Sequence, residues 1–365
     1  MDAVVTSSPG KVILFGEHGV NRQQPALAIA VDLRLYCRVE MRAEGYELHS
    51  GEQREAGSLA ELAAFKARVD VLRTVGDLDE IRSLAFDFFA APRYVLAHAL
   101  ERSNLPGVLV TWRSDLPIGS GTGSGAAAST AMILGVMRLK GRPISPEELA
   151  WLAWQGDAIA HGGVASSLDS STCAYGGLLR FTVADGAQPL PLHSPLPLVI
   201  GDSRVQKFTA EANTRVRRWL AAHPAHMQLF RDMGYLVGMA QEALACGDLV
   251  ALGHLMNLHQ LLQEKLGTGW PQAERLIEVA IGAGALGAKI SGSGLGGIVI
   301  ALAPLGQEQE IAAAIDDAGG RSYVAPAGAE GTRVESETIW EAQKSFEVSP
   351  LSHSGDEKTN MKGKS

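Results

Sequence analysis

The chain is poor in cysteine, in positive charge and in long apolar runs, and each shortage excludes a class of protein. Its three cysteines, Cys37, Cys173 and Cys246, are odd in number, far apart and without CxxC spacing. That pattern argues against a disulfide framework and against a structural zinc site. A net charge of −8 and a sequence pI of 5.7 offer no broad attraction for nucleic acid or an anionic membrane. No apolar run approaches the roughly 18 residues that a spanning helix needs. The opening MDAVVTSSPGK lacks the charged-then-apolar pattern of a signal peptide. The expectation is a protein of the reducing cytoplasm, with neither nucleic acid nor membrane as partner.

Two familiar phosphate signatures are missing as well. There is no GxxxxGK[ST], and no acidic residue stands about twenty positions beyond a glycine turn in strand–turn–helix context. What the chain does hold is DLPIGSGTGSGAAASTA, residues 115–131, in which Gly119, Gly121, Gly123 and Gly125 alternate with Ser120, Thr122 and Ser124. Glycine lets the backbone turn sharply and bring its N–H groups onto an anion. The alanine-rich run 126–139 has helical composition, and a helix N-terminus adds unpaired N–H groups and partial positive charge. A phosphate-binding loop feeding a helix is the reading, although turns and flexible linkers draw on the same residues.

At 365 residues, two domains are the default. The proline-rich PLPLHSPLPL, residues 189–198, is the expected junction, giving units of 1–190 and 191–335. Ahead of it, strands are expected at 3–5 and 12–15 with a turn at 6–10, then at 26–29 and 33–39. In the last of these, Leu33, Leu35, Cys37 and Val39 alternate with Arg34, Tyr36, Arg38 and Glu40. Residues 44–80 give little beyond a helix over 65–72 and read as an insertion. A helix at 91–100 and strands at 109–112 and 178–183 follow. Ser145-Pro146-Glu147-Glu148 opens a helix to about 160, with Asp157 and His161 on one face. Beyond the junction the pattern predicts a strand at 198–201, helices at 213–222, 227–245, 249–266 and 271–283, and strands at 289–291 and 298–303 joined by GSGLGG. The polar residues 336–365 have too little to bury and read as a disordered tail.

Three stretches stand in order: SSPGKVILFGEHGV at 7–20, LPIGSGTGSGAAAS at 116–129 and GAKISGSGLGGIVIAL at 287–302. Together they resemble the GHMP kinase superfamily and, within it, the mevalonate kinases. The first is similar to PGKVILFGEHxVxxGxPAxA and continues through Pro25-Ala26-Leu27-Ala28. The second resembles PxGxGLGSSAA, and the third KxTGAGxGG. The pair Glu17-His18 with Val20 looks like mevalonate kinase rather than galactokinase, whose pattern runs into Thr-Asp. Weaker likeness, including MNLHQLLQEKLG at 256–267, extends over most of 7–303. The resemblance implies an α+β fold of two GHMP kinase domains with the active site in the interdomain cleft, and a left-handed βαβ crossover against the usual handedness. It also implies phosphorylation of (R)-mevalonate by ATP with Mg2+ in the mevalonate pathway of isoprenoid biosynthesis, and a homodimer.

Carried residue by residue, the resemblance makes Asp169, in GVASSLDSSTCAYGG, the group that receives or orients the hydroxyl proton. On spacing alone, an aspartate capping a local turn is an equal reading. Lys11 is the ammonium that would keep Asp169 ionised and offset charge on phosphate. Ser124 and Asp157 occupy the magnesium positions, where few hard oxygen ligands suit the ion. Two departures accompany them: Gly125 replaces the second serine of the usual pair, and Asp157 is shorter than the usual glutamate. The loop from Gly119 to Gly125 would hold ATP, with Ser120 and Thr122 as capping groups. Glu17, His18 and Thr209 are candidates for the alcohol's carboxylate and hydroxyls, His161 for a helix-end residue. Gly292, Ser293, Gly294 and Gly296 would support the phosphate loop and close the cleft. One rival is a sister kinase for phosphomevalonate, another mevalonate hydroxyl or a sugar. A substrate phosphate would call for clustered basic residues, and Arg215, Arg217 and Arg218 fall on different helix faces. The other rival is a catalytically silent binder of ATP or metabolite, which the presence of Lys11 and Asp169 speaks against.

Overall fold

Pro9 does not end the first strand. In the computed structural model, which describes residues 2–117, 119–163, 165–205, 209–223 and 226–343, strand β1 runs unbroken from Ala3 to Phe15. Where a turn is expected at 6–10, β1 instead shifts register against β2 (Ala26–Met41), with Pro9 opposite Arg34 and Gly10 opposite Val31. Proline has no N–H to give the ladder, so the irregularity falls at that point and the strand bends rather than stops. The alternation along β2 holds for Leu35, Cys37 and Val39, all buried. Arg34 departs from it. It is 3% exposed and donates to Ser7 Oγ at 2.8 Å and to the carbonyls of Glu330 and Gly331 at 3.0 and 2.9 Å, because the returning C-terminal segment covers it.

Residues 44–80 are part of the fold. They form β3 (Gly45–Ser50), β4 (Gln53–Gly57), α1 (Leu59–Val75) and the start of α2 (Leu78–Leu84). Ser58 and Glu61 make a reciprocal capping box at the start of α1, and Gly76 closes the helix at φ +72°. Helix α3 (Ala90–Ser103) leads to β5 (Gly107–Ser114), which lies parallel to β3 and antiparallel to β2. Then come α4 (Ser124–Leu139), α5 (Pro146–Ala160), α6 (Leu168–Tyr175), β6 (Leu178–Thr182) and β7 (Gly186–Leu190). Ser145 caps α5 by accepting from the Glu148 N–H, as its sequence predicts. Buried side chains of α3, α4 and α5 cover one face of the sheet through Val39, Leu48, Val110 and Trp112.

The second half holds β8 (Leu198–Asp202), α7 (Thr209–Ala222), α8 (Met227–Cys246), α9 (Leu249–Lys265), α10 (Pro271–Gly282), β9 (Gly287–Ser291), β10 (Ile298–Leu302), α11 (Glu308–Asp317) and β11 (Arg321–Val324). Its strands order as β11-β8-β10-β9. Alternation along β8 and β10 sends Val199, Val299 and Ala301 toward α10 and α11, and Leu198, Ile200, Ile298 and Ile300 toward α8, α9 and the first sheet. Phe15, Leu27 and Ile29 join that second cluster, so one core spans both sheets.

The chain then returns. Strand β12 (Arg333–Glu335) pairs with β1, setting Val5 opposite Glu335. The segment expected at the end of a C-terminal unit therefore adds a strand to the first sheet. Helix α12 (Glu337–Ala342) follows, capped by Ser336. That corrects the disordered-tail expectation for 337–342, since Trp340 is 4% exposed and lies under the Arg113 guanidinium at 3.8 Å. Residues 344–365 lie outside the described ones.

Candidate active site

The glycine loop joins β5 to α4. Its serine and threonine hydroxyls turn inward: Ser120 Oγ donates to the Pro117 carbonyl at 2.9 Å and Thr122 Oγ1 to the same oxygen at 3.3 Å. They brace the loop. Gly123 caps α4 at φ +81° with no side chain bonded to the first turn, so those N–H groups are open to an anion. A Cβ at Gly119 or Gly125 would meet nothing within 4 Å. Among the described residues, those two positions face open space.

Lys11 lies against this loop. Its N–H donates to the Thr122 carbonyl at 2.9 Å, and its side chain, 1% exposed, packs on Gly123. Its Nζ stands 2.9 Å from Asp169 Oδ1. Asp169 sits in the first turn of α6, where the helix terminus favours a carboxylate. Its side chain remains 25% exposed. Asp157, from α5, completes the cluster. It is 4% exposed, and its Oδ2 has no hydrogen-bond partner. Burial first, and then the charge of Asp169, push the Asp157 carboxyl up to about 8. Ser124 is the first residue of α4, which packs on α5, with an ideal Gly156 Cβ 3.4 Å from Ser129 Oγ.

The turn after β1 forms the other wall. Glu17 is 2% exposed, and its Oε1 is paired with Lys289 Nζ and accepts from Gly292 N–H at 3.4 Å. Lys289 also donates to the Ile290 carbonyl at 2.6 Å. His18 is held at φ +59°, and its Nε2 lies 3.0 Å from the Ser293 carbonyl. Behind them Gly16 N–H donates to His259 Nε2 at 3.1 Å, and burial with the Lys289 charge holds that imidazole neutral. One cavity takes in Lys11, Glu17, His18, His161, Asp169 and Ser293. Thr209 begins α7, but its side chain lies outside the described residues. Gly292 and Ser293 line this cavity as well.

A model of the GHMP kinases N terminal domain matches residues 90–177, and one of the GHMP kinases C terminal matches 240–321. The mevalonate kinase of Pyrococcus horikoshii is 34% identical over 340 residues, which cover 91% of this chain and 98% of that protein. The chain belongs to the mevalonate kinase family. A crystal structure of a mevalonate kinase superposes with a TM-score of 0.74 at 23% identity, over 89% of this chain and 99% of that one. The L. major mevalonate kinase in complex with R-mevalonate gives 0.70 at 24% identity, over 89% and 95%. These likenesses carry the fold, and the two-domain α+β architecture of the mevalonate kinase family agrees with the resemblance read from the three motifs.

Sequence reasoning missed Lys289, His259 and the helix that carries Asp169. Lys289 had a signal: it is the one charged residue in the strand GAKIS, all of which is buried. A lysine in such a strand needs a counter-charge. His259 had only its place in MNLHQLLQEKLG, the weaker likeness at 256–267.

Proposed function

We propose that this chain transfers the γ-phosphoryl group of ATP to the C5 hydroxyl of (R)-mevalonate, giving 5-phosphomevalonate and ADP. The observation that carries the reading is the Lys11–Asp169 pair, 2.9 Å apart on the wall of one cavity and against the glycine loop. Phosphoryl transfer asks for little covalent chemistry from a protein; positioning and charge stabilisation do most of it. Asp169 orients the hydroxyl and takes its proton as the O–P bond forms. Lys11 favours the ionised Asp169 and offsets charge on the phosphoryl oxygens. The open N–H groups of the loop and of the α4 N-terminus receive the triphosphate.

Ser124 and Asp157 would hold Mg2+. The fit rests on the orphaned Asp157 Oδ2 and on a carboxyl that burial keeps protonated until a cation is near. Bound there, the ion supplies neutralisation of the triphosphate charge. Glu17 and His18 face the rest of the alcohol, Glu17 as an acceptor for a substrate hydroxyl.

Coupled ADP production with mevalonate, phosphomevalonate, galactose and homoserine side by side tests the reading. Turnover with mevalonate well above the other three is expected. A preference for any of those three would overturn it.

A further inference from the structure

Glu17 and Lys289 are buried together at 1% and 0% side-chain exposure, and they join the turn after β1 to strand β9 of the other sheet. Such a pair is a weak source of stability, because removing two charges from water costs about what their attraction returns, and apolar residues of the same size often do as well. Its geometry does something else. Lys289 and Gly292 N–H take Glu17 Oε1, while Oε2 keeps no hydrogen-bond partner among the described residues, in a residue that lines the cavity. The next residue, His18, is held at φ +59° with its ring on the Ser293 carbonyl, so the same strand end fixes both side chains of the turn.

We infer that Lys289 is a positioning residue for the alcohol: it holds the Glu17 carboxylate turned so that Oε2 accepts a substrate hydroxyl. The inference rests on the kinase reading above and assigns Lys289 no contact with the substrate. Among the described residues, the charged and titratable groups around Glu17 are Lys289 from β9, His259 from α9, whose Nε2 lies 3.5 Å from Oε2 and already accepts the Gly16 N–H, and His18 beside it, with Lys11 on the wall of the same cavity. Lys289 is therefore the cation on which the carboxylate depends. Without it, Oε1 keeps only the long contact with the Gly292 N–H, and the carboxylate is free to turn away from the alcohol.

Steady-state kinetics of Lys289→Met, with mevalonate and ATP varied separately, test this. The expected result is a KM for mevalonate raised at least about tenfold near pH 7, with KM for ATP within about twofold of wild type. A loss of stability alone would not move that split. An unchanged KM for mevalonate, or equal increases for both substrates, would overturn the inference while active wild type leaves the kinase reading intact. Wild type silent with mevalonate would sink both. If Lys289→Met does not fold, Glu17→Gln/Lys289→Met, which leaves neither charge buried, is compared with Glu17→Gln: an equally raised KM for mevalonate in the two supports the inference, and a further rise in the double variant, or wild-type KM in both, overturns it.

Discussion

A Cβ placed on Gly123 would stand 2.9 Å from Cγ of Lys11, so the phosphate loop and the lysine are fitted to each other at a position that admits no side chain. Gly123 also holds φ at +81°, which L residues rarely adopt. Gly123→Ala is expected to cost about 1–3 kcal/mol of stability and to displace Lys11 from Asp169, lowering kcat at least about tenfold. Thermal unfolding and turnover read the two effects separately. Normal turnover in the variant would show that the loop does not set the lysine.

Gly125 makes the opposite case. Its Cβ would enter open space beside the loop, and the residue is exposed. Gly125→Ala should leave stability within about 0.5 kcal/mol of wild type. If the triphosphate lies over this loop, the added methyl raises KM for ATP several-fold and leaves KM for mevalonate alone. An increase in the mevalonate KM instead would move the phosphates elsewhere.

Asp169→Asn removes the proton acceptor while keeping size and most polar contacts. With a quarter of the side chain exposed, the fold should survive. A fall in kcat of about 10²–10⁴ is expected, the usual range for a positioned acid–base group. Lys11→Met should lower kcat with it. Near-normal turnover by folded Asp169→Asn would take that carboxylate out of the mechanism.

Asp157 gives a pH dependence whose sign can be worked out. Its proton affinity is higher folded than unfolded, since burial moves the carboxyl from 3.8 to about 8. The folded protein then carries the extra proton between those values, and the stability this contributes is lost as pH rises toward 8 and beyond. Unfolding without Mg2+ should show a decline in Tm from pH 5 to 9. Asp157→Asn should flatten that decline, and Mg2+ with a non-hydrolysable ATP analogue should oppose it and release a proton on binding, seen as a buffer-dependent heat. A wild-type Tm that rises over this range would contradict the assignment.

Much of this arrangement was legible in the sequence because it rests on local chemistry. Ser145, Pro146 and Glu148 fix the start of α5, and alternating residues mark β2. Lys11, Glu17, His18 and Asp169 meet in one cavity, yet only the resemblance linked them, since no local rule brings Lys11 to Asp169. What was missed is long-range. The Pro9 bulge depends on β2 running alongside, the burial of Arg34 on residues 330–331, and the partner of Glu17 on β9. The helix starting at Ser58 is different: its S-x-x-E box was readable, and the weak apolar pattern of α1 obscured it.

Trp340 is the clearest of these long-range contacts, placed where composition pointed to a tail. It is 4% exposed on α12, the Arg113 guanidinium lies 3.8 Å above its ring, and Arg113 donates to its carbonyl at 2.7 Å. Replacing a buried aromatic by alanine removes both its transfer free energy and its packing, typically about 3–5 kcal/mol, with a helix at the molecule's edge toward the low end. Trp340→Ala should therefore lower Tm by several degrees. The site residues lie on other elements, so KM for both substrates should stay within about twofold at a temperature where the variant is folded. Denaturant unfolding with unchanged slope and a lower midpoint would place the effect in the native contacts. An unchanged midpoint would mean that α12 adds nothing to the sheet it covers.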